Sequence, residues 1–161
     1  MMVGFSCRVL QVLLRRAFLV LSTIWLVALP LAALAAGHPG APPAAYGFAL
    51  GVYSIGRAIC HQLPVRSFHL LGMRLPVCAR CTGIYFGAAA AAVVFGLSRR
   101  SRDAAKAERV EPRWILLAAL VPTGATLVFE WTTGVMPANW IRALAGLPLG
   151  AAVAWAIAMV N

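Results

Sequence analysis

Acidic side chains are scarce in this 161-residue chain: four Asp and Glu stand against fourteen Lys and Arg, and charged residues of both signs make up only 11%. With a 62% hydrophobic share and a mean hydropathy of +0.86, that deficit excludes a disordered tail, a fibre and a disulfide-packed secreted miniprotein. Glycine-rich phosphate cradles, a Gly-x-Ser-x-Gly nucleophile and a His-Glu-x-x-His metalloprotease helix are missing as well. Thr82 follows Cys81, which excludes a Cys-x-x-Cys-His haem attachment. The net charge of +10 and pI near 11.1 could point to nucleic acid. Most basic residues, however, lie between long apolar runs, where the lipid bilayer is the natural partner and no nucleic acid is expected.

What the chain does have is length of apolar run. A hydrocarbon core of about 30 Å takes roughly 20 helical residues. The sequence therefore predicts an all-α, polytopic membrane helix bundle forming one domain over 1–161, with four transmembrane helices plus one short re-entrant or interfacial helix. The spans are 17–36, 78–98, 114–131 and 140–160, with Pro30, Pro122 and Pro148 as expected kinks. Residues 44–60 form the short outer helix, 61–77 a Cys/His loop and 132–139 a second outer loop. Segments 1–16 and 99–113 face the cytoplasm, which then holds Arg8, Arg15, Arg16, Arg99, Arg100, Arg102, Lys106, Arg109 and Arg113. Counting 44–59 as a fifth span would carry loop 99–113 to the outer face, against the positive-inside rule. The expected location is the inner membrane of a bacterial-type cell, multi-pass, with both termini cytoplasmic. An uncleaved first anchor is expected despite Arg15-Arg16 and Ala33-Leu34-Ala35, because its 20 apolar residues exceed a signal-peptide core. Gly83 and Gly87 in the second span, and Gly146, Gly150 and Ala154 in the fourth, predict close approach of those two helices.

Three of the four cysteines and two of the three histidines fall within 60–81. Cys7 stands apart and His38 reads as a loop residue. Pro76 marks a helix start, which sets Cys78 and Cys81 in the first turn, where unpaired backbone N–H groups and Arg80 favour thiolate. Ser54, Arg57 and His61 fall on one stripe of the preceding helix, and Arg57 would keep the imidazole uncharged. Cys60, His61, Cys78 and Cys81 together offer a donor set suited to tetrahedral Zn2+, with His69 as rival ligand because adjacent Cys and His rarely ligate together. A structural disulfide and plain packing are the competing readings.

On the outer side Arg57, Arg66, Arg74, Arg80 and Arg142 face Glu130 alone. Arg57, Arg66, Arg80 and Arg142 are the candidate anion-binding residues, and an anionic lipid or another phosphate-bearing ligand fits them. Glu130, Arg142 and Arg80 are the candidates for chemistry; a structural pair between Glu130 and Arg142 is the alternative. Asn139 is expected to cap the last helix.

The string Cys60-His61-Gln62, then Arg66-Ser67-Phe68, then Leu75-Pro76-Val77-Cys78-Ala79-Arg80-Cys81-Thr82-Gly83-Ile84-Tyr85-Phe86-Gly87 resembles the signature of the small prokaryotic membrane proteins grouped as domain of unknown function 2085. The likeness runs from residue 45 to 155, and Glu130, Asn139 and Arg142 are similar to that group's later pattern. It implies no activity. Three functions compete: an outer-face metal site, with zinc as the expected cofactor; a thiol–disulfide oxidoreductase working through Cys78 and Cys81 with a quinone; and a non-catalytic assembly or accessory subunit with no cofactor.

Overall fold

The computed structural model describes residues 3–97 and 111–159. Most of the cytoplasmic loop expected at 99–113 lies outside the described residues. The elements are α1 (Val3–Gly37), α2 (Pro43–Ile59), a 3-10 turn at Pro64–Arg66, β1 (His69–Leu70), β2 (Met73–Arg74), α3 (Ala79–Leu97), α4 (Pro112–Thr133) and α5 (Asn139–Met159). This is a mostly helical membrane-type architecture. Val12–Gly37, Pro112–Thr133 and Asn139–Ile157 are long and apolar enough to cross a bilayer, while the apolar part of α3, Ala79–Val94, is shorter.

One feature departs from the all-α expectation. β1 and β2 pair antiparallel, His69 opposite Arg74 and Leu70 opposite Met73. Leu71 and Gly72 join them with φ of 50° and 79°, the two positive values that a tight two-residue hairpin turn requires. Glycine adopts that conformation freely, whereas leucine there is strained, and so the dipeptide gives a weaker signal in sequence than Asn-Gly would.

The helices stand side by side in the order α2, α1, α3, α5, α4. The α3–α5 seam is the tight one, as the small residues predict. A Cβ on Gly83 would strike the carbonyl of Ala143 and one on Gly87 that of Leu147; Gly146 and Gly150 meet the carbonyls of Arg80 and Ile84 in the same way. Backbones approach this closely only where side chains are absent, and in a bilayer such van der Waals contact is the main attraction between helices.

A second centre of packing joins α1 to α2. Ala28, Leu29 and Ala32 of α1 bury against Ala49 and Val52 of α2 and against Val77, with Trp25, Tyr85, Cys60 and Cys81 packed around them. Trp25 meets Tyr85 edge to face, ring centres 6.1 Å apart. The second turn of α3 thus lies level with Trp25, about 18 Å along α1 from Gly37 at 1.5 Å per residue. From that level to Gly37, α1 is flanked by α2, and the hairpin reaches its end: an added Cβ on Gly37 would touch the Met73 side chain.

Candidate metal and anion site

The site is built where α2 ends and α3 begins. α2 stops because Cys60 turns extended (φ −147°, ψ 139°), its N–H still bonded to the carbonyl of Gly56. Cys78 precedes α3, and its carbonyl accepts the first helical bond from Thr82 N–H at 2.9 Å. The backbone N–H of Cys78 donates to Cys60 Sγ at 3.2 Å, tying the two segments together through sulfur. Cys60, Cys78 and Cys81 bring their sulfur atoms within 4.8 Å of one another, all half-buried, and none is in a disulfide. At Cys78, just ahead of α3, the first backbone N–H groups of the helix lack intrahelical partners. Those donors suit a thiolate, the form in which sulfur binds metal.

Among the described residues the group is of cysteines only. His61 lies past the end of α2, exposed, and lines the adjoining cavity without joining the sulfur cluster; His69 is exposed on β1, across from Arg74. The stripe of Ser54, Arg57 and His61 does not form, because the extended residue at Cys60 breaks the helical period before it reaches the histidine. Arg57 is exposed on α2 and is not among the residues lining the cavity.

That cavity, about 400 Å3, is lined by Cys60, His61, Gln62, Cys78 and Cys81 together with Arg66, Arg80 and Arg142. Glu130, 6% exposed on α4, stands between two of the guanidinium groups. Its Oε2 accepts from Arg142 Nη2 at 2.8 Å and its Oε1 pairs with Arg66. Arg80 has no carboxylate partner among the described residues; its Nη2 donates to Thr126 at 3.2 Å. Nε of Arg80 and Nε of Arg142 are buried without a partner.

The pattern of cysteines, arginines and apolar helices can now be set against known proteins. Residues 60–156 match the sequence profile of domain of unknown function 2085, described as a predicted membrane protein. The chain belongs to that family. An uncharacterized protein of Methanocaldococcus jannaschii is 35% identical to it over 71 residues, 44% of this chain and 43% of the relative. An uncharacterized protein of Methanothermobacter thermautotrophicus is 59% identical over 32 residues, 20% of this chain and 29% of the relative. The matches therefore span less than half the length of either curated relative. No solved structure matches.

In this member of the domain of unknown function 2085 family, several residues that sequence reasoning left aside hold the site together. Gln62, 6% exposed with φ of 50°, donates through Nε2 to the carbonyls of Tyr53 (2.9 Å) and Pro76 (2.6 Å), while Arg74 Nη1 donates to the Gln62 carbonyl at 3.0 Å. It pins the end of α2 to the approach of α3, and Gly56 makes room for it, since a Cβ there would strike Pro76. The Tyr53 hydroxyl donates to the Arg74 carbonyl, and burial pushes that phenol up against the opposing influence of the Arg74 charge. Asn139 is not the cap. The first bond of α5 runs from Arg142 N–H to the Ala138 carbonyl, and Asn139 instead donates through Nδ2 to the carbonyl of fully buried Ser67, 3.1 Å away. The trace of this scaffold in the sequence is slight: a glutamine two residues after Cys60.

Proposed function

We propose that the chain is a multi-pass inner-membrane protein that holds Zn2+ through Cys60, Cys78 and Cys81 on its extracytoplasmic face, beside arginines that receive an anion. The observation that carries this reading is the convergence of three free sulfur atoms within 4.8 Å. Tetrahedral zinc with Zn–S bonds near 2.3 Å needs sulfurs about 3.8 Å apart, which small side-chain rotations would supply. Three thiolates leave one position facing the cavity. Filled by His61 it makes the centre structural; filled by water or a ligand it makes the ion a Lewis acid. The thiols are half-buried beneath the Gln62 scaffold, and such shielding is what a reduced thiolate centre needs in an oxidising compartment.

In this reading α3 is a fourth span held by its glycine seam to α5, α2 is re-entrant or interfacial, and both termini are cytoplasmic. Arg66, Arg80 and Arg142 supply the anion-accepting surface, and Glu130 serves as the buried counter-charge that keeps two of them in place. The lipid bilayer is the partner.

A second reading is supported by the closeness of the three free thiols: Cys78 and Cys81 oxidise to a disulfide, giving two electrons and two protons to a quinone, and Cys60 stands where it could resolve a mixed disulfide formed at either. Elemental analysis of the purified protein separates the two. The metal reading expects stoichiometric zinc in the wild type, its loss in Cys78→Ser, and thiols that alkylate only after chelation. Metal well below stoichiometry, with a pair that cycles reversibly between thiol and disulfide in cells, would replace it with the redox reading.

A further inference from the structure

We infer that the anion received beside the thiols is the singly charged phosphodiester of a membrane lipid, its headgroup against Arg80 and Arg142 and its chain in the apolar groove between α3, α4 and α5. The charge count in this inference rests on the metal-centre reading; its other grounds do not.

Arg142 is 2% exposed, its Nη2 committed to Glu130 and its Nε without a partner, and Arg80 lacks any acidic partner among the described residues. Buried, incompletely bonded guanidinium groups are costly unless an acceptor completes them, and phosphate oxygens match their fork geometry. Around the cavity three guanidiniums face one carboxylate, and a zinc ion with three thiolates carries one further negative charge. One positive charge remains. A phosphodiester, singly charged throughout the neutral range, neutralises it, whereas free phosphate divides there between its singly and doubly charged forms.

The chain has a place to lie. A groove of about 660 Å3, lined by small and apolar residues such as Gly87, Ala91, Ala118, Ala119 and Ala152, separates α3 from α4 beyond the Arg80–Thr126 contact. Gly87 and Ala91 follow Arg80 by seven and eleven residues, and Ala119 precedes Thr126 by seven, so the groove continues down the same helix faces that carry the polar contact. On α3 it opens about 10 Å below Arg80, within the roughly 15 Å that the tails of one leaflet occupy. A charged head above and an uncharged groove below describe an amphiphile.

The test uses zinc-loaded protein reconstituted in nanodiscs of phosphatidylcholine with or without phosphatidylglycerol, then extracted in detergent and weighed by native mass spectrometry, with zinc read in every sample. Wild type is expected to retain phosphatidylglycerol over phosphatidylcholine. Arg80→Gln should weaken retention about tenfold, as loss of one charge-assisted bond implies. Arg80→Lys should recover part of it, and Ala118→Trp, which fills the groove and leaves the arginines alone, should weaken it too. Equal retention by wild type, Arg80→Gln and Ala118→Trp with zinc present overturns the inference and leaves the metal centre standing. Displacement of the lipid by millimolar inorganic phosphate, with Ala118→Trp behaving as wild type, overturns it in favour of a free anion. Selective retention without zinc supports the headgroup site and removes the metal reading with its charge count.

Discussion

Replacing Glu130 by glutamine removes one negative charge at nearly constant volume, and the structure gives the cost. Glu130 is 6% exposed and the Arg142 side chain 3%, so the change leaves a guanidinium with no counter-charge where water cannot replace it. Breaking a buried pair from one side costs about 3–5 kcal/mol, and the apolar chains of neighbouring lipid offer no relief. Arg66, on the other carboxylate oxygen, is 38% exposed, so Arg66→Gln removes a pair that water already screens, worth about 0–1 kcal/mol. Unfolding of both variants in mixed detergent micelles of rising dodecyl sulfate fraction, followed by far-ultraviolet circular dichroism, reads the difference. The expected order is a large loss for Glu130→Gln, little for Arg66→Gln, and partial recovery in Glu130→Gln/Arg142→Gln, where no unpaired charge remains. The reasoning fails if Glu130→Gln and Arg66→Gln destabilise equally, or if the double variant is worse than the single by the full cost of losing Arg142.

Gly150→Leu builds a side chain into the Ile84 carbonyl and should part α3 from α5, costing about 1–3 kcal/mol or more by overpacking, whereas Gly51→Leu, with open space around it, should leave the same unfolding midpoint unchanged. Gln62→Leu leaves the buried Pro76 carbonyl without its donor, a loss of about 1–3 kcal/mol, while the part-buried Tyr53 carbonyl keeps its place in the α2 ladder; it should lower zinc content as well, because Cys60 and Cys78 are held together through that link, and a destabilised variant with full zinc would show the thiols to be positioned independently of it.

The parts of the architecture that leave a periodic trace were legible. Gly83, Gly87, Gly146 and Gly150 recur at four-residue spacing, and the seam they predict is the closest backbone contact in the fold. The clustering of Cys60, Cys78 and Cys81 predicted a common site because three soft donors seldom fall within one short segment by chance. What was illegible depends on single backbone angles. Nothing in the local sequence announces that Cys60 turns extended, yet this residue takes His61 off the helix face. Leu71 at positive φ hid a hairpin, and Asn139 read as a cap because its long-range partner, the Ser67 carbonyl, is 72 residues away. Hydropathy also merges two causes. The run 17–36 reads as a span without telling which of its residues face protein; Ala28, Leu29, Ala32 and Ala33 are the buried ones, at 9% exposure or less.

The pairing of Glu130 with two arginines explains why the cavity can be both strongly basic and stable. Three guanidiniums converging on one pocket repel one another, and repulsion in a dehydrated setting would spread α3, α5 and the Pro64–Arg66 turn apart. A single carboxylate, accepting from Arg142 on one oxygen and facing Arg66 on the other, draws α4, α5 and that turn together. Of the three, Arg80 has no carboxylate partner among the described residues, and it lies on the helix turn that also carries Cys78 and Cys81. Two of the three soft donors and this cation are therefore presented by one helix start. In the proposed reading a ligand drawn in by Arg80 arrives beside the sulfur atoms, so that metal and anion would share one cavity rather than two.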